Sequence, residues 1–322
     1  IKSICQISQN ELCLGTDGKG AKIFNIPKQL ITDYPFDNNY LDSGTSKVHS
    51  VLKDNAGNLW IAIYQKGVMM IPAQPNSFKY IGYKSINKNI IGSNCITSLC
   101  RDHEGILWIG TDNDGIYGIT TELKQRVHYA PHDSPFSVPS TVFGLYEDSE
   151  RNLWFGSYTN GLGRLDKKTG QCSYLQNLTD KHGNRIQRVY DLVEDQDKRL
   201  WIATMGAGLF YYDLKTGQSV YDPKFNAATE KYKWISCLLY AGDNHLYVGT
   251  YDGIRCIDLS TDDFKTEEIL SRHIIHSLYE DPQGNIWIGS SDGLAEWNPQ
   301  TRQLKTYTTA HGLSSNAVYA IK

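Results

Sequence analysis

The sequence predicts an all-β fold, a seven-bladed β-propeller of four-stranded antiparallel blades, and three observations carry that reading. The first is a repeated phrase, Leu107-Trp108-Ile109-Gly110-Thr111-Asp112-Asn113-Asp114-Gly115: an apolar strand that ends in a small residue, a hydroxyl and a Gly-bearing turn. It returns at Leu59-Trp60-Ile61-Ala62, Leu153-Trp154-Phe155-Gly156, Leu200-Trp201-Ile202-Ala203 and Ile286-Trp287-Ile288-Gly289. Leu12-Cys13-Leu14-Gly15 and Leu246-Tyr247-Val248-Gly249 are looser copies with Cys and Tyr in the Trp slot. The second is the spacing. The Trp slots at 13, 60, 108, 154, 201, 247 and 287 are separated by 47, 48, 46, 47, 46 and 40 residues, the period of a propeller or solenoid. The third is near-absence of helical periodicity combined with short, continuously apolar strands, as expected where both faces of a sheet are covered by its neighbours. A solenoid is the alternative architecture.

Each unit opens with a strand A of pattern apolar-x-small-apolar: Val48-His49-Ser50-Val51, Ile96-Thr97-Ser98-Leu99, Val142-Phe143-Gly144-Leu145, Val189-Tyr190-Asp191-Leu192, Ile235-Ser236-Cys237-Leu238 and Ile275-His276-Ser277-Leu278. Ile1-Lys2-Ser3-Ile4 heads the series and Val318-Tyr319-Ala320-Ile321 ends it. The third slot is never large, which fits crowding where blades converge. Turns such as Asp54-Asn55-Ala56-Gly57-Asn58 and Asp281-Pro282-Gln283-Gly284-Asn285 follow. Asn and Gly there supply positive φ, and Asp caps its own backbone. Strand B is the Trp phrase, whose indole would fill the space between neighbouring blades. A Gly turn leads to strand C, as in Gly115-Ile116-Tyr117-Gly118-Ile119. A further turn leads to a short aromatic strand D, as in Phe78-Lys79-Tyr80, Cys172-Ser173-Tyr174 and Leu304-Lys305-Thr306-Tyr307. The propeller is thus expected over residues 1–316. Residues 317–322 are either the first strand of a further repeat or an overlap that closes the ring, with Ile1–Ile7 expected to hold the first-blade slot.

Composition agrees with one folded domain and excludes other classes. Hydrophobic residues make up 40% of the 322 and charged residues 21%, ordinary for a globular protein. A net charge of -3 gives no basic stripe for nucleic acid. No apolar run approaches the length of a membrane span, and Ile1 opens no signal-peptide pattern. The chain begins and ends inside a repeat and so reads as a piece of a longer protein. Its seven Cys include no CxxC pair and no framework spacing. Cys5, Cys100, Cys237 and Cys256 occupy slots that other copies fill with apolar or small residues, so they read as buried hydrophobes. Cys5 and Cys13 could face one another across the first hairpin, which leaves one disulfide open there.

In a meander of this kind the B–C and D–A connections share one face, and that face carries the variation. Binding residues concentrate on variable loops held by a rigid scaffold. The expected ligand-binding residues are Tyr64, Lys66, Asp112, Asp114, Tyr158, Asn160, Arg185, Arg188, Trp234, Tyr251 and Asp252. Aromatic rings beside hydrogen-bonding groups suit a carbohydrate, whose apolar ring faces stack while its hydroxyls are read by polar groups. Against this stands the plain alternative that a tip Tyr merely covers a blade edge.

Other constellations weaken on inspection. Asp112-Asn113-Asp114-Gly115 starts like a calcium loop but lacks the later carboxylates. His128 and His132, and His273 and His276, have no further ligands at metal-site spacing. Glu147-Asp148, Glu194-Asp195 and Glu280-Asp281 recur at one structural slot, so they read as turn and capping residues and not as a catalytic pair. No GxSxG, HExxH or phosphate-cradling Gly loop is present. No catalytic residue, metal or cofactor is expected.

The stretch from Leu278 to Ser290, and the run Tyr307…His311-Gly312-Leu313-Ser314-Ser315-Asn316-Ala317-Val318, resemble the two-component regulator propeller repeat of periplasmic sensors in hybrid two-component systems. The resemblance covers essentially the whole chain. Its departures are Cys13 and Tyr247 in the Trp slot, Ala62 and Ala203 in the Gly slot, and the short last step. It implies a periplasmic ectodomain with an adjacent propeller and a β-sandwich, part of a dimer, ahead of a membrane helix. A histidine kinase and DNA-binding parts would lie in the cytoplasm, outside this chain. It also implies an oligosaccharide ligand. It offers no ligand-residue motif, so the residues above rest on loop topology. The alternatives are a structural or dimer-forming propeller without its own ligand, a protein-interaction ring, and a propeller lyase or glycosidase using Lys2, His49, Tyr190 and His276 near the channel mouth.

Overall fold

The Leu-Trp-Ile-Gly phrase forms the second strand of an antiparallel meander at every copy. The computed structural model describes residues 1–34, 45–73, 91–93, 95–120, 126–180, 182–221, 233–261 and 264–322. Among them lie six four-stranded sheets in simple A-B-C-D order and one sheet of three strands in A-B-C order. The chain is an all-β propeller of seven blades, and its described residues hold no α-helix, only a 3-10 turn at Thr309–His311. The fourth strand expected at Phe78-Lys79-Tyr80 lies outside the described residues.

The chain divides into two compact units. The first, Ile1–Asn94, holds blade 1 (strand A Ser3–Ser8) and blade 2 (strand A Val48–Lys53). The second, Cys95–Lys322, holds blades 3 to 7, whose A strands are Ile96–Arg101, Val142–Glu147, Val189–Glu194, Ile235–Ala241 and Ile275–Glu280. Within each unit the A strands of successive blades pack side by side.

The Trp slot works as the sequence suggests. Trp108, Trp154 and Trp201 are buried, each in a cluster with the A and B strands of the following blade: Trp201, for example, packs with Ile235, Leu238, Leu246 and Val248. Cys13 and Tyr247 fill the same slot against Val48, Val51 and Ile61, and against Ile275 and Ile288. Trp60, in the first unit, is instead 39% exposed.

The recurring carboxylates divide their labour in a way the spacing alone did not reveal. The Asp caps its own A–B turn and also accepts the indole N–H six residues on. Trp60–Asp54, Trp108–Asp102, Trp154–Asp148, Trp201–Asp195 and Trp287–Asp281 make this bond at 2.8, 2.8, 2.7, 2.7 and 3.0 Å. The Asn285 amide, with the Trp287 indole, holds Asp281 down at about 2. The Glu, by contrast, reaches back to the preceding blade. Glu147 accepts the His103 backbone N–H at 2.7 Å, Glu194 that of Ser149 at 2.6 Å and Glu280 that of Gly242 at 3.2 Å. Lys53 and Arg101 stand in the Glu slot of blades 2 and 3.

The small third slot of strand A has an equally local cause. It lies opposite the Gly or Ala of strand B, and both press on the next blade. A Cβ at Gly156 would stand 2.5 Å from the Val189 carbonyl oxygen, closer than side chains approach. Asp191 is the one carboxylate in this slot. It accepts the Leu238 N–H of the next blade at 2.8 Å and the Leu192 N–H at 2.9 Å, yet burial still pushes it up to about 6. Residues 317–322 form no ladder of their own. Val318 lies against blade 7 as Val48 lies against blade 1: its N–H meets the Ser290 carbonyl at 2.9 Å, as Val48 meets Thr16 at 2.8 Å.

Candidate ligand-binding face

Six B–C tips are held by one device, and in blade 2 Ile63 takes the hydroxyl's slot. The hydroxyl that ends strand B donates to the carbonyl of the Gly beyond the tip: Thr111 to Gly115, Ser157 to Gly161, Thr204 to Gly208, Thr250 to Gly253 and Ser290 to Gly293, all at 2.6–3.0 Å. In blade 1 Thr16 does the same with Gly20 at 2.6 Å. The first tip residue then donates its N–H to the residue that precedes strand A of its own blade, as Met205 does to Arg188 and Tyr251 to Trp234. A fixed backbone therefore presents interchangeable tip side chains.

In the second unit the residue before strand A lays its side chain on the tip of the blade before it. Thr141 donates to Asp112 at 2.7 Å, the Arg188 guanidinium lies 4.9 Å from the centre of the Tyr158 ring, and the Trp234 ring lies beside Gly206, where the two backbones also form a β-bridge through Met205. Tyr158 meets Phe143 edge-on at 5.9 Å, Phe143 packs on Tyr190 at 5.0 Å, and Tyr251 packs on Trp234 at 6.0 Å. Burial, with the neighbouring Tyr251, raises the Tyr190 hydroxyl. The result is a band of aromatic side chains across blades 4 to 6. Tyr158, Trp234 and Tyr251 remain 42, 41 and 45% exposed along it. Among the described residues Arg188 has no carboxylate in ion-pair range.

Beside Tyr158 an open, polar cleft of about 290 Å³ lies between loop 131–140 and the blade 4 tip, lined by His132, Ser134, Ser137, Ser140, Thr159 and Asn160. Arg185 donates to the Asn160 carbonyl at 3.1 Å on its edge. The structure thus brings Tyr158, Asn160, Arg185 and Arg188 to one place, with Trp234 and Tyr251 paired farther along the band. Asp252 sits in the tip after Tyr251, its carbonyl taking the Arg272 N–H at 2.9 Å.

Other expected site residues are engaged within the scaffold. Asp114 turns onto its own blade, where it takes the Tyr117 hydroxyl and lies 3.3 Å from His128, itself stacked on Tyr117 at 3.9 Å. Asp112 is held by Thr141. In the first unit Tyr64 stacks on His49 at 5.0 Å and Lys66 reaches Ser46 at 3.5 Å. His132 bonds with Ser137, and His276 lies on Tyr319 at 4.6 Å, so the two histidine pairs are dispersed. Phe143 was missing from the expected set, and Tyr190 stood only among the rival catalytic residues. Their signal was the second slot of strand A, which changes from copy to copy (His49, Thr97, Phe143, Tyr190, Ser236, His276) while the slots around it repeat.

Residues 90–113, 138–159, 185–206 and 269–292 match the two-component regulator propeller repeat. Those four stretches carry the repeat. Each match spans strand A, the Asp turn, strand B and the start of the tip; the copies centred on Cys13, Trp60 and Tyr247 are not among them. Over 328 aligned residues the chain is 24% identical to a histidine kinase, P4, of Formosa agariphila, covering 98% of this chain and 20% of that protein. The fold is shared with two extracellular domains from B. thetaiotaomicron. One, from a proposed one-component system, is 21% identical with a TM-score of 0.64 over 98% of this chain and 44% of its own. The other, from a proposed hybrid two-component system, is 20% identical with a TM-score of 0.53 over 98% and 47%. The chain therefore spans a fifth of the curated relative and under half of each solved domain.

Proposed function

We propose that this chain is the extracytoplasmic ligand-sensing propeller of a hybrid two-component sensor kinase, facing the periplasm and binding an oligosaccharide released from a larger glycan. The observation that carries the reading is the exposed band running from Tyr158 under Arg188 to Tyr251 and Trp234, beside a polar cleft. Flat rings offer stacking surfaces for a sugar's apolar face at little entropic cost. Arg188 and the serines of the cleft offer donors to its oxygens. Kinship with a regulator repeat and with a histidine kinase supports the sensor assignment.

The relay would act on the rest of the parent protein, including an adjacent propeller and a β-sandwich in a homodimer. A bound sugar can shift such an arrangement only by its differential affinity for the two states. On this reading residues 1–316 are the propeller, and 317–322 either open a further repeat or overlap the ring closure. The fragment supplies no catalytic step of its own; the kinase lies elsewhere in the parent.

Calorimetric titration of the chain against a panel of plant and host oligosaccharides tests this. Saturable heat without product, weakened tenfold or more in Tyr158→Ala and Tyr251→Ala, is the expected result. Product formation would replace the sensor with a lyase or glycosidase, and silence across the panel would leave a scaffold.

A further inference from the structure

Blade 1, like blade 6 with Ala241 and Tyr247, lacks the Asp–Trp tie that closes the A–B turn in the other five blades. Ile7 stands in the slot of the capping Asp and Cys13 in the slot of the Trp, so no indole N–H reaches a turn carboxylate there. In its place the strand register sets Cys5 directly opposite Cys13, within the unbroken run Ile4↔Leu14, Cys5↔Cys13, Gln6↔Leu12. The equivalent pairs in the other blades are Leu52↔Trp60, Cys100↔Trp108, Tyr146↔Trp154, Val193↔Trp201, Leu239↔Tyr247 and Tyr279↔Trp287. Only blade 1 puts sulfur on both sides. Both cysteines belong to one apolar cluster with Val48 and Ile61, so they project to the same face of the sheet. Directly opposed residues of an antiparallel pair have Cα atoms about 4.5–5.5 Å apart, inside the window that a disulfide spans.

We propose that Cys5 and Cys13 are a disulfide site, closed when the chain meets an oxidising compartment, and that this bond replaces the Asp–Trp tie in blade 1. That the bond is closed in the cell rests on the periplasmic reading above, since disulfides persist outside the cytoplasm; the capacity to form it does not. The Cys5 thiolate attacks one sulfur of a low-molecular-weight or protein disulfide and expels the other as a thiol. The Cys13 thiolate then attacks the Cys5 Sγ and expels the second thiol. Two electrons and the two cysteine protons end on the oxidant, and one S–S bond is exchanged for another. Cys5 is the half-exposed member and Cys13 is fully buried, so Cys5 meets the oxidant and Cys13 resolves the mixed disulfide. None of the other five cysteines has another Cys as its strand partner in the registers described.

The test equilibrates the purified full chain with oxidised glutathione, then alkylates it in denaturant and weighs it. Of the seven cysteines five should take label, and all seven after reduction. Peptide mapping should find Cys5 linked to Cys13. Cys5→Ser and Cys13→Ser should each raise the label count to six, one more than wild type despite one cysteine fewer. Seven labels on oxidised wild type, or a bridge to any other cysteine, overturns the proposal. Alkylation of the protein inside cells reports separately on the compartment: a bridge that forms in vitro and is absent in cells sinks the periplasmic reading and leaves the site standing.

Discussion

The two rims of a blade are built from the same strands and obey different rules. On the A–B rim an Asp holds its turn and its indole, and a Glu reaches the turn of the blade before, in copy after copy. On the B–C rim only the hydroxyl–Gly latch repeats. What it presents changes from Asp112 to Tyr158 to Met205 to Tyr251. Recurrence at one rim marks stability, and variation over a latch shared by six blades marks the place proposed for reading a ligand. If that division holds, substitutions on the first rim should cost stability and leave binding intact, and those on the second should do the reverse.

The largest effect sharpens the first half. Trp201→Ala removes a fully buried indole and one of the donors to Asp195, which keeps Arg199, so denaturant unfolding should show a loss of about 3–5 kcal/mol. Asp191 provides a signed pH test. Its folded value of about 6 lies above the ordinary 3.8, so the folded state holds the proton more tightly. That contribution is complete below about pH 4 and lost as pH rises through about 6. Asp191→Asn should therefore match wild type at pH 4 and exceed it at pH 7–8 by about 2–3 kcal/mol. Equal pH profiles for the two would refute the buried charge. Next, Glu194→Ala leaves the Ser149 N–H without its acceptor and should cost about 1–2 kcal/mol. The smallest stability effect belongs to the other rim. Tyr158→Ala should move the unfolding free energy by about 0.5–1 kcal/mol while weakening sugar binding at least tenfold. A Tyr158 variant that unfolds easily and binds normally would invert the comparison.

How much of this was legible follows from what repeats. Strand order and the gap-filling Trp could be read directly, because a fixed period multiplies a weak local signal by seven. The Glu-Asp pairs were visible as structure, but their division was not: whether a carboxylate caps its own turn or the one before depends on how blades stack, which no local spacing encodes. Asp114 shows the same limit on the variable rim. Its position in a tip marked it as available, and only the fold reveals Tyr117 and His128 beneath it. Phe143 lay inside a strand and so escaped a search confined to loops.

The back-reaching glutamates give the stack a grain. In blades 4, 5 and 7 the carboxylate holds the turn of the copy that precedes it, like the lap of a roof tile, so each of these blades carries within its own sequence a fastening for its upstream neighbour. Gene duplication of such a unit delivers joint and tile together, and the course can lengthen or shorten without any residue being redesigned elsewhere.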